Sequence, residues 1–156
     1  MKHFTKTLLL IPITIFGLLG TASAADQLGF NEQLTFFKID DREPVGQQSV
    51  GDVLTLKSVL FNADTGNPEG TKDLSCETIE QRNNGDLIIF CKETTTLPNG
   101  TINTEGEINA TKFDRFFYPE KLEITGGTGA YEGARGKETI TRIALDKYTS
   151  KFVLLP

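Results

Sequence analysis

The chain offers few residues for nucleophilic or metal chemistry. Its one histidine is His3, and its two cysteines are Cys76 and Cys91. His3 lies in a leader-like stretch, so the remaining chain can build no Ser-His-Asp triad, no Cys–His pair and no histidine-based metal site. Any chemistry falls to carboxylates, Cys, Lys, Arg, Tyr or the backbone. The acidic run Asp40, Asp41 and Glu43 could in principle ligate calcium, but its spacing matches no calcium-binding loop, and a solvated acidic turn is the reading adopted. No metal and no cofactor is expected. The glycine-dense run Ile124–Lys137 raises the question of phosphate binding. A phosphate loop needs Gly-Lys-Ser/Thr opening a helix, whereas Gly136-Lys137 leads into Glu138 and a β-branched segment. That run reads instead as a strand, a tight glycine corner, a short packed turn carrying Tyr131, and a returning strand.

The domain that positions these residues lies beyond an N-terminal leader. Lys2 and Lys6 precede a mostly apolar Leu8–Leu19, and Ala22-Ser23-Ala24 supplies small residues for cleavage. Residues 1–24 are therefore expected to be a signal peptide, with residues 25–156 forming one domain. An uncleaved anchor is the alternative, disfavoured by Pro12 and Gly17 inside a short apolar run. The whole chain of 156 residues carries a net charge of −5, and loss of Lys2 and Lys6 makes the remainder more acidic still. Without a basic cluster, nucleic acid and anionic membrane surfaces are poor partners.

Beyond the leader no segment has a helical period. Short strands are expected at Leu34–Ile39, Val53–Phe61, Lys72–Glu80, Asp86–Thr96, Thr101–Thr111, Lys121–Thr125, Glu138–Leu145 and Tyr148–Leu155. Pro44 ends the first ladder, while Asn62–Gly70, Arg82–Gly85 and Leu97–Gly100 carry turn signals. Phe113, Phe116, Phe117 and Tyr118 form an aromatic cluster before Pro119. Such spacing is that of an antiparallel barrel or sandwich. With the turn at Arg82–Gly85, Gln81 faces Asp86, and counting back along both strands sets Cys76 opposite Cys91. Directly opposed positions on an antiparallel pair approach the spacing a disulfide needs, and an exported chain meets an oxidising compartment. The acceptor-like triplets at Asn99 and Asn109 read as accidental in a bacterial-looking exported chain.

At Thr125-Gly-Gly-Thr-Gly-Ala-Tyr-Glu-Gly-Ala-Arg-Gly136 the chain resembles the allene oxide cyclase and dirigent protein superfamily. Ile39-Asp40-Asp41-Arg42, Val50-Gly51-Asp52 and Leu74-Ser75-Cys76 extend the resemblance to nearly all of Leu34–Leu155. It implies a single eight-stranded antiparallel β-barrel. Plant allene oxide cyclases hold an epoxide in the barrel and use a first-strand glutamate, matched here by Lys38, and an asparagine, matched by Ser58. Cys76 matches a pocket cysteine, which leaves a free pocket thiol as the alternative to the disulfide. Asp40, or Asp41 after a one-residue shift, falls at a dirigent pocket aspartate. Dimers and trimers are known in these families, so a homo-oligomer is an expectation by that analogy.

Alternation gives an inward set of Phe36, Leu54, Leu56, Leu60, Leu74, Leu87 and Ile89, with Lys38, Asp40, Ser58 and Cys76 on the same parity. The ligand-pocket candidates are therefore Phe36, Lys38, Asp40, Leu56, Ser58, Cys76, Ile89 and, from the glycine loop, Arg135, which could equally anchor that loop. An apolar pocket stands against a packed barrel in which Lys38 pairs with a carboxylate. Two function classes remain open. One is an exported barrel binding an apolar small molecule without the plant reaction. The other is a cyclase or isomerase that acts by confining its substrate.

Overall fold

The computed structural model describes residues 26–41 and 49–156. The expected signal peptide, Glu43 and Pro44 lie outside the described residues. Eight strands run in order: β1 (Asp26–Asp40), β2 (Val53–Asn62), β3 (Pro68–Gln81), β4 (Leu87–Leu97), β5 (Gly100–Asn109), β6 (Pro119–Gly127), β7 (Arg135–Ala144) and β8 (Lys147–Leu155). Each pairs antiparallel with the next, and β8 pairs back onto β1, so the sheet is a closed barrel. Closure leaves no edge strand to be satisfied by another chain. One helical turn, α1 (Ala110–Phe113), succeeds β5 and is capped by the Asn109 side chain. Among the described residues, no helix is long and apolar enough to cross a membrane.

Strand β4 shows how the sequence makes the wall. Ile89, Cys91, Glu93, Thr95 and Leu97 are buried, while Lys92, Thr94 and Thr96 between them are exposed. This two-residue period puts one face in the lumen and the other in water. The lumen is layered. At one end Phe30, Leu60, Leu97, Ile102, Ile124 and Phe152 form an apolar plug, joined by the half-buried Tyr131. At the other, Cys76, Ile89, Cys91, Ile108, Leu122, Ile140 and Tyr148 form a second apolar layer.

The glycine run behaves as its composition suggests, with β6 running to Gly127, a 3-10 turn over Gly129–Tyr131, and β7 leaving at Arg135. It lies flat across the β4–β5 hairpin. Thr128 N–H donates to Thr101 O (2.9 Å) and Ala130 N–H to Asn99 O (2.9 Å). That contact explains two glycines. A Cβ on Gly100 would stand 2.0 Å from Thr128 O, and one on Gly129, at φ +61°, would stand 2.3 Å from Asn99 O. The motif thus seals the plugged end, and no helix comes after it to present a phosphate site.

Of the register shifts along the sheet, two bear on the site. In β1 the register shifts between Leu34 and Phe36, so that Leu34 faces Ser58 but Phe37 faces Leu56. Thr35 is the extra residue of a β-bulge, and beyond it the inward parity passes from even to odd positions. In β3 a second bulge falls between Thr78 and Glu80. The adjoining hairpin closes with Arg82 N–H donating to Asp86 O (2.8 Å), one residue further than the expected turn. The bulge cancels that shift, and Cys76 still faces Cys91.

Candidate functional site

Between the two apolar layers lies a charged one. Lys72 on β3 is buried, with its side chain 4% exposed. Its Nζ donates to Glu32 Oε1 of β1, Glu138 Oε1 of β7 and Ser150 Oγ of β8, each at 2.6 Å. Glu93 Oε1 of β4 lies 3.3 Å away. Ser150 Oγ, with one hydrogen to give, is within hydrogen-bond reach of both Glu32 and Glu138, and Thr104 Oγ1 donates to Glu138 Oε2 at 3.0 Å. An ammonium has three hydrogens, and here all three are taken. Across the plug boundary the Lys72 Nζ stands 5.6 Å from the Phe152 ring centroid.

The carboxyls are not equivalent. Burial alone would lower Lys72, but Glu138, Glu32 and Glu93 outweigh it and hold the ammonium above its ordinary pKa. Burial pushes Glu93 well up, and the charge of Glu138 adds to it. Burial would raise Glu138 too, yet Lys72 and a hydrogen bond from Glu93 bring it below its ordinary value. Glu93 Oε2 is fully buried and accepts no hydrogen bond. A proton on Glu93, shared with Glu138, resolves both observations. The layer then holds one ammonium, one neutral acid and two ion-paired carboxylates.

Above this layer the lumen holds a narrow cavity of about 40 Å³. Leu54, Leu56, Leu74, Ile89, Ile108 and Ile140 form its sides. The Cys76–Cys91 disulfide, with Cα atoms 4.0 Å apart, is part of the wall, so the free-thiol alternative falls. Phe113 of α1 stacks on Tyr148 at 5.9 Å and narrows the opening. The lumen continues outward into a mouth of about 300 Å³, edged by Phe37, Ile39, Asp52, Arg142 and Leu145. Arg142 is held there by Asp114 at 2.8 Å. The floor is Glu32, Ser58, Lys72 and Glu93. Among the described residues, no group of His, Cys, Asp or Glu side chains could hold a metal ion. The centre of the carboxyl cluster is filled by an ammonium.

Of the sequence candidates, Leu56, Ser58, Cys76 and Ile89 come together on this cavity. Phe36, Lys38 and Asp40 do not. They lie past the β1 bulge on the even parity, which is outward there, and all three are exposed. Lys38 pairs with Asp40 at 2.6 Å on the surface. The inward carboxylate of the first strand is Glu32. Arg135 is also outside the lumen, donating to Thr125 O (2.6 Å) and Ala134 O (2.8 Å), so it anchors the glycine loop. Lys72, Glu93 and Glu138 escaped the sequence reading. Parity was the available signal, because Lys72 precedes Leu74 and Cys76 by even steps and Glu93 succeeds Ile89 and Cys91 likewise.

A closed eight-stranded antiparallel barrel with an apolar cavity at one end and a buried ionic floor defines the class. The family model described as the allene oxide cyclase barrel-like domain matches residues 31–155, and the chain belongs to that family. No protein of curated function matches it in sequence. Among solved structures it is similar to a pyocyanin demethylase, with 20% identity, 83% of this chain and 99% of that chain covered, and a TM-score of 0.70. It is similar also to AbnU, an exo-specific intermolecular Diels-Alderase, with 16% identity, 84% and 98% coverage and a TM-score of 0.71. A pterocarpan synthase dirigent protein matches with 16% identity, 83% and 82% coverage and a TM-score of 0.61. At these identities the likeness is one of fold.

Proposed function

We propose that this chain is an exported barrel that binds an apolar small molecule in its lumen, without the plant allene oxide cyclase reaction. The observation that carries this reading is the cavity: apolar walls, closed at one end by the plug and open at the other. Against acid–base catalysis stands the full engagement of Lys72 and Glu138. Lys72 has no hydrogen left to give a substrate, and Glu138 already accepts from Lys72 and Thr104. Lys38 has no part in it, since it lies outside the lumen. Residues 1–24 act as the signal peptide, a reading supported by their leader-like sequence and by the disulfide, which suits an oxidising compartment. N-terminal sequencing of the exported protein should begin at Ala25, and a start at Met1 would overturn the export reading.

A second reading, a cyclase or isomerase acting by confinement, is favoured by one observation. A strongly raised carboxyl, Glu93, sits at the floor of a cavity, as catalytic acids do. Similar barrels include a Diels-Alderase, whose bimolecular chemistry gains from holding reactants together. The deciding experiment is mass spectrometry of whatever co-purifies with the natively expressed protein. A bound apolar molecule that is lost in Ile140→Trp, with the barrel still folded by circular dichroism, is expected. A molecule retained in full by that variant would place binding elsewhere.

A further inference from the structure

The polar atoms at the cavity floor are not all engaged, and those left over define what the ligand must bring. Both hydrogen bonds to Glu32, from Lys72 and from Ser150, fall on Oε1. No described residue donates to Oε2. Glu32 is 5% exposed, yet Oε2 is not among the fully buried polar atoms lacking a partner, so it meets open space, and the space beside Glu32 is the cavity. Ser58, 6% exposed, lines the same floor, and its hydroxyl makes no hydrogen bond to a described residue. Its register partner on β1 is Leu34, two residues from Glu32, which makes the two groups diagonal neighbours on adjoining strands. A carboxylate oxygen accepts only, and a serine hydroxyl can both accept and give. Around them every wall group is apolar apart from Tyr148.

We infer that the lumen takes an uncharged ligand whose apolar body ends in a hydroxyl, docked with its O–H donating to Glu32 Oε2 and its oxygen accepting from Ser58 Oγ, and that it rejects ligands ending in a carboxylate. This rests on the lumen being the ligand site. The sign of the floor carries the rejection. One ammonium faces two carboxylates at 2.6 Å and a third carboxyl at 3.3 Å, so the layer has more negative than positive charge to show an incoming head. Lys72, the one cation present there, has its hydrogens directed at Glu32, Glu138 and Ser150 and cannot turn to an anion without giving one up. An apolar head would leave Glu32 Oε2 and Ser58 Oγ dry and unpaired, which costs affinity. A hydroxyl satisfies both, so discrimination comes from the groups that the wrong ligand leaves unpaired or repels.

The test is displacement of a lumen-bound fluorescent probe, N-phenyl-1-naphthylamine, from the full folded protein by three ligands of matched length: decanol, methyl nonyl ether and decanoate. Decanol should displace at a concentration at least ~5-fold below the ether, the spread expected when buried polar groups lose a partner. It should act at least ~10-fold below decanoate, whose charge must be buried against like charge. Ser58→Ala should shrink the decanol-over-ether ratio, and Glu32→Gln the decanol-over-decanoate ratio. Ser58→Ala removes no ion pair, so it serves even where Glu32→Gln fails to fold. Equal displacement by all three would leave the cavity reading standing and overturn this one, as would preference for decanoate. A probe that does not bind at all would overturn both.

Discussion

Replacing Lys72 by methionine should damage this barrel far more than the loss of one side chain, and in a pH-dependent way. Met keeps the length and removes the charge. Glu32, Glu93 and Glu138, with side chains 0–3% exposed, are then left in the lumen without a cation. Removing one partner from a buried ion pair costs about 3–5 kcal/mol, out of the ~5–15 kcal/mol that holds an ordinary domain together. At ~2–4 °C per kcal/mol for a chain of this length, the midpoint of thermal unfolding should fall by about 6–20 °C. The pH dependence comes from the sign of each shift. In the native protein Lys72 is raised, so its contribution is complete below 10.5 and is lost only as pH rises through the folded value. Glu138 is lowered, so its contribution is present above 4.5 and is lost as pH falls through its folded value. Without Lys72, burial acts on Glu138 against only the hydrogen bonds from Glu93 and Ser150, and raises it. A raised carboxyl stabilises below 4.5 and loses that stability as pH rises. Glu93 is raised in the native protein too, so both proteins gain from it on acidification, but only the variant gains from Glu138 as well; Lys72→Met should therefore recover part of its deficit between about pH 8 and about pH 5. Differential scanning calorimetry across that range measures both effects. A deficit under ~1 kcal/mol at neutral pH, or one that grows on acidification, would refute the ionic layer as described.

Three further outcomes are expected. Glu93→Gln should cost under ~1 kcal/mol near neutral pH, because an amide can replace a protonated acid as donor to Glu138, whereas Glu138→Gln should cost ~3 kcal/mol by urea unfolding; equal costs would show that Glu93 is charged. Ellman titration of denatured, unreduced protein should find no thiol, and the Cys76→Ala/Cys91→Ala variant should lose ~2–4 kcal/mol for a separation of 15 residues; two free thiols would decide against the disulfide. Given a freshly generated allene oxide, the protein should yield racemic cyclopentenone, since Lys72, the cation at the floor, has its three hydrogens taken; strong enantiomeric enrichment would show the lumen to be a plant-type active site.

The barrel and the glycine loop could be read from the sequence because they depend on local signals: period-two strands, turn residues and a glycine corner. The positions of Phe36, Lys38 and Asp40 could not, because one inserted residue, Thr35, reverses parity and leaves no mark in the alternation of Leu34–Ile39. The Cys76–Cys91 pairing was legible because two irregularities cancel, a three-residue turn at Asn83–Gly85 in place of the four residues Arg82–Gly85 and a bulge beside Ile79. The ionic layer was hidden for a different reason. Charged residues are ordinarily outside, so Glu32, Lys72, Glu93 and Glu138, far apart in sequence, read as surface until closure brings them within one layer. The parity of Lys72 with Cys76 was visible, but a lone buried lysine makes sense only once its partners are known.

The central claim, that the apolar lumen layer is a ligand site, is most directly tested by methyl NMR of isoleucine-labelled protein titrated with decanol. The methyls of Ile89, Ile108 and Ile140 should shift together and saturate, while those of Ile102 and Ile124 in the plug and Ile79 on the outer wall stay in place. Shifts confined to Ile79, or no saturable shift at Ile89, Ile108 and Ile140, would contradict it.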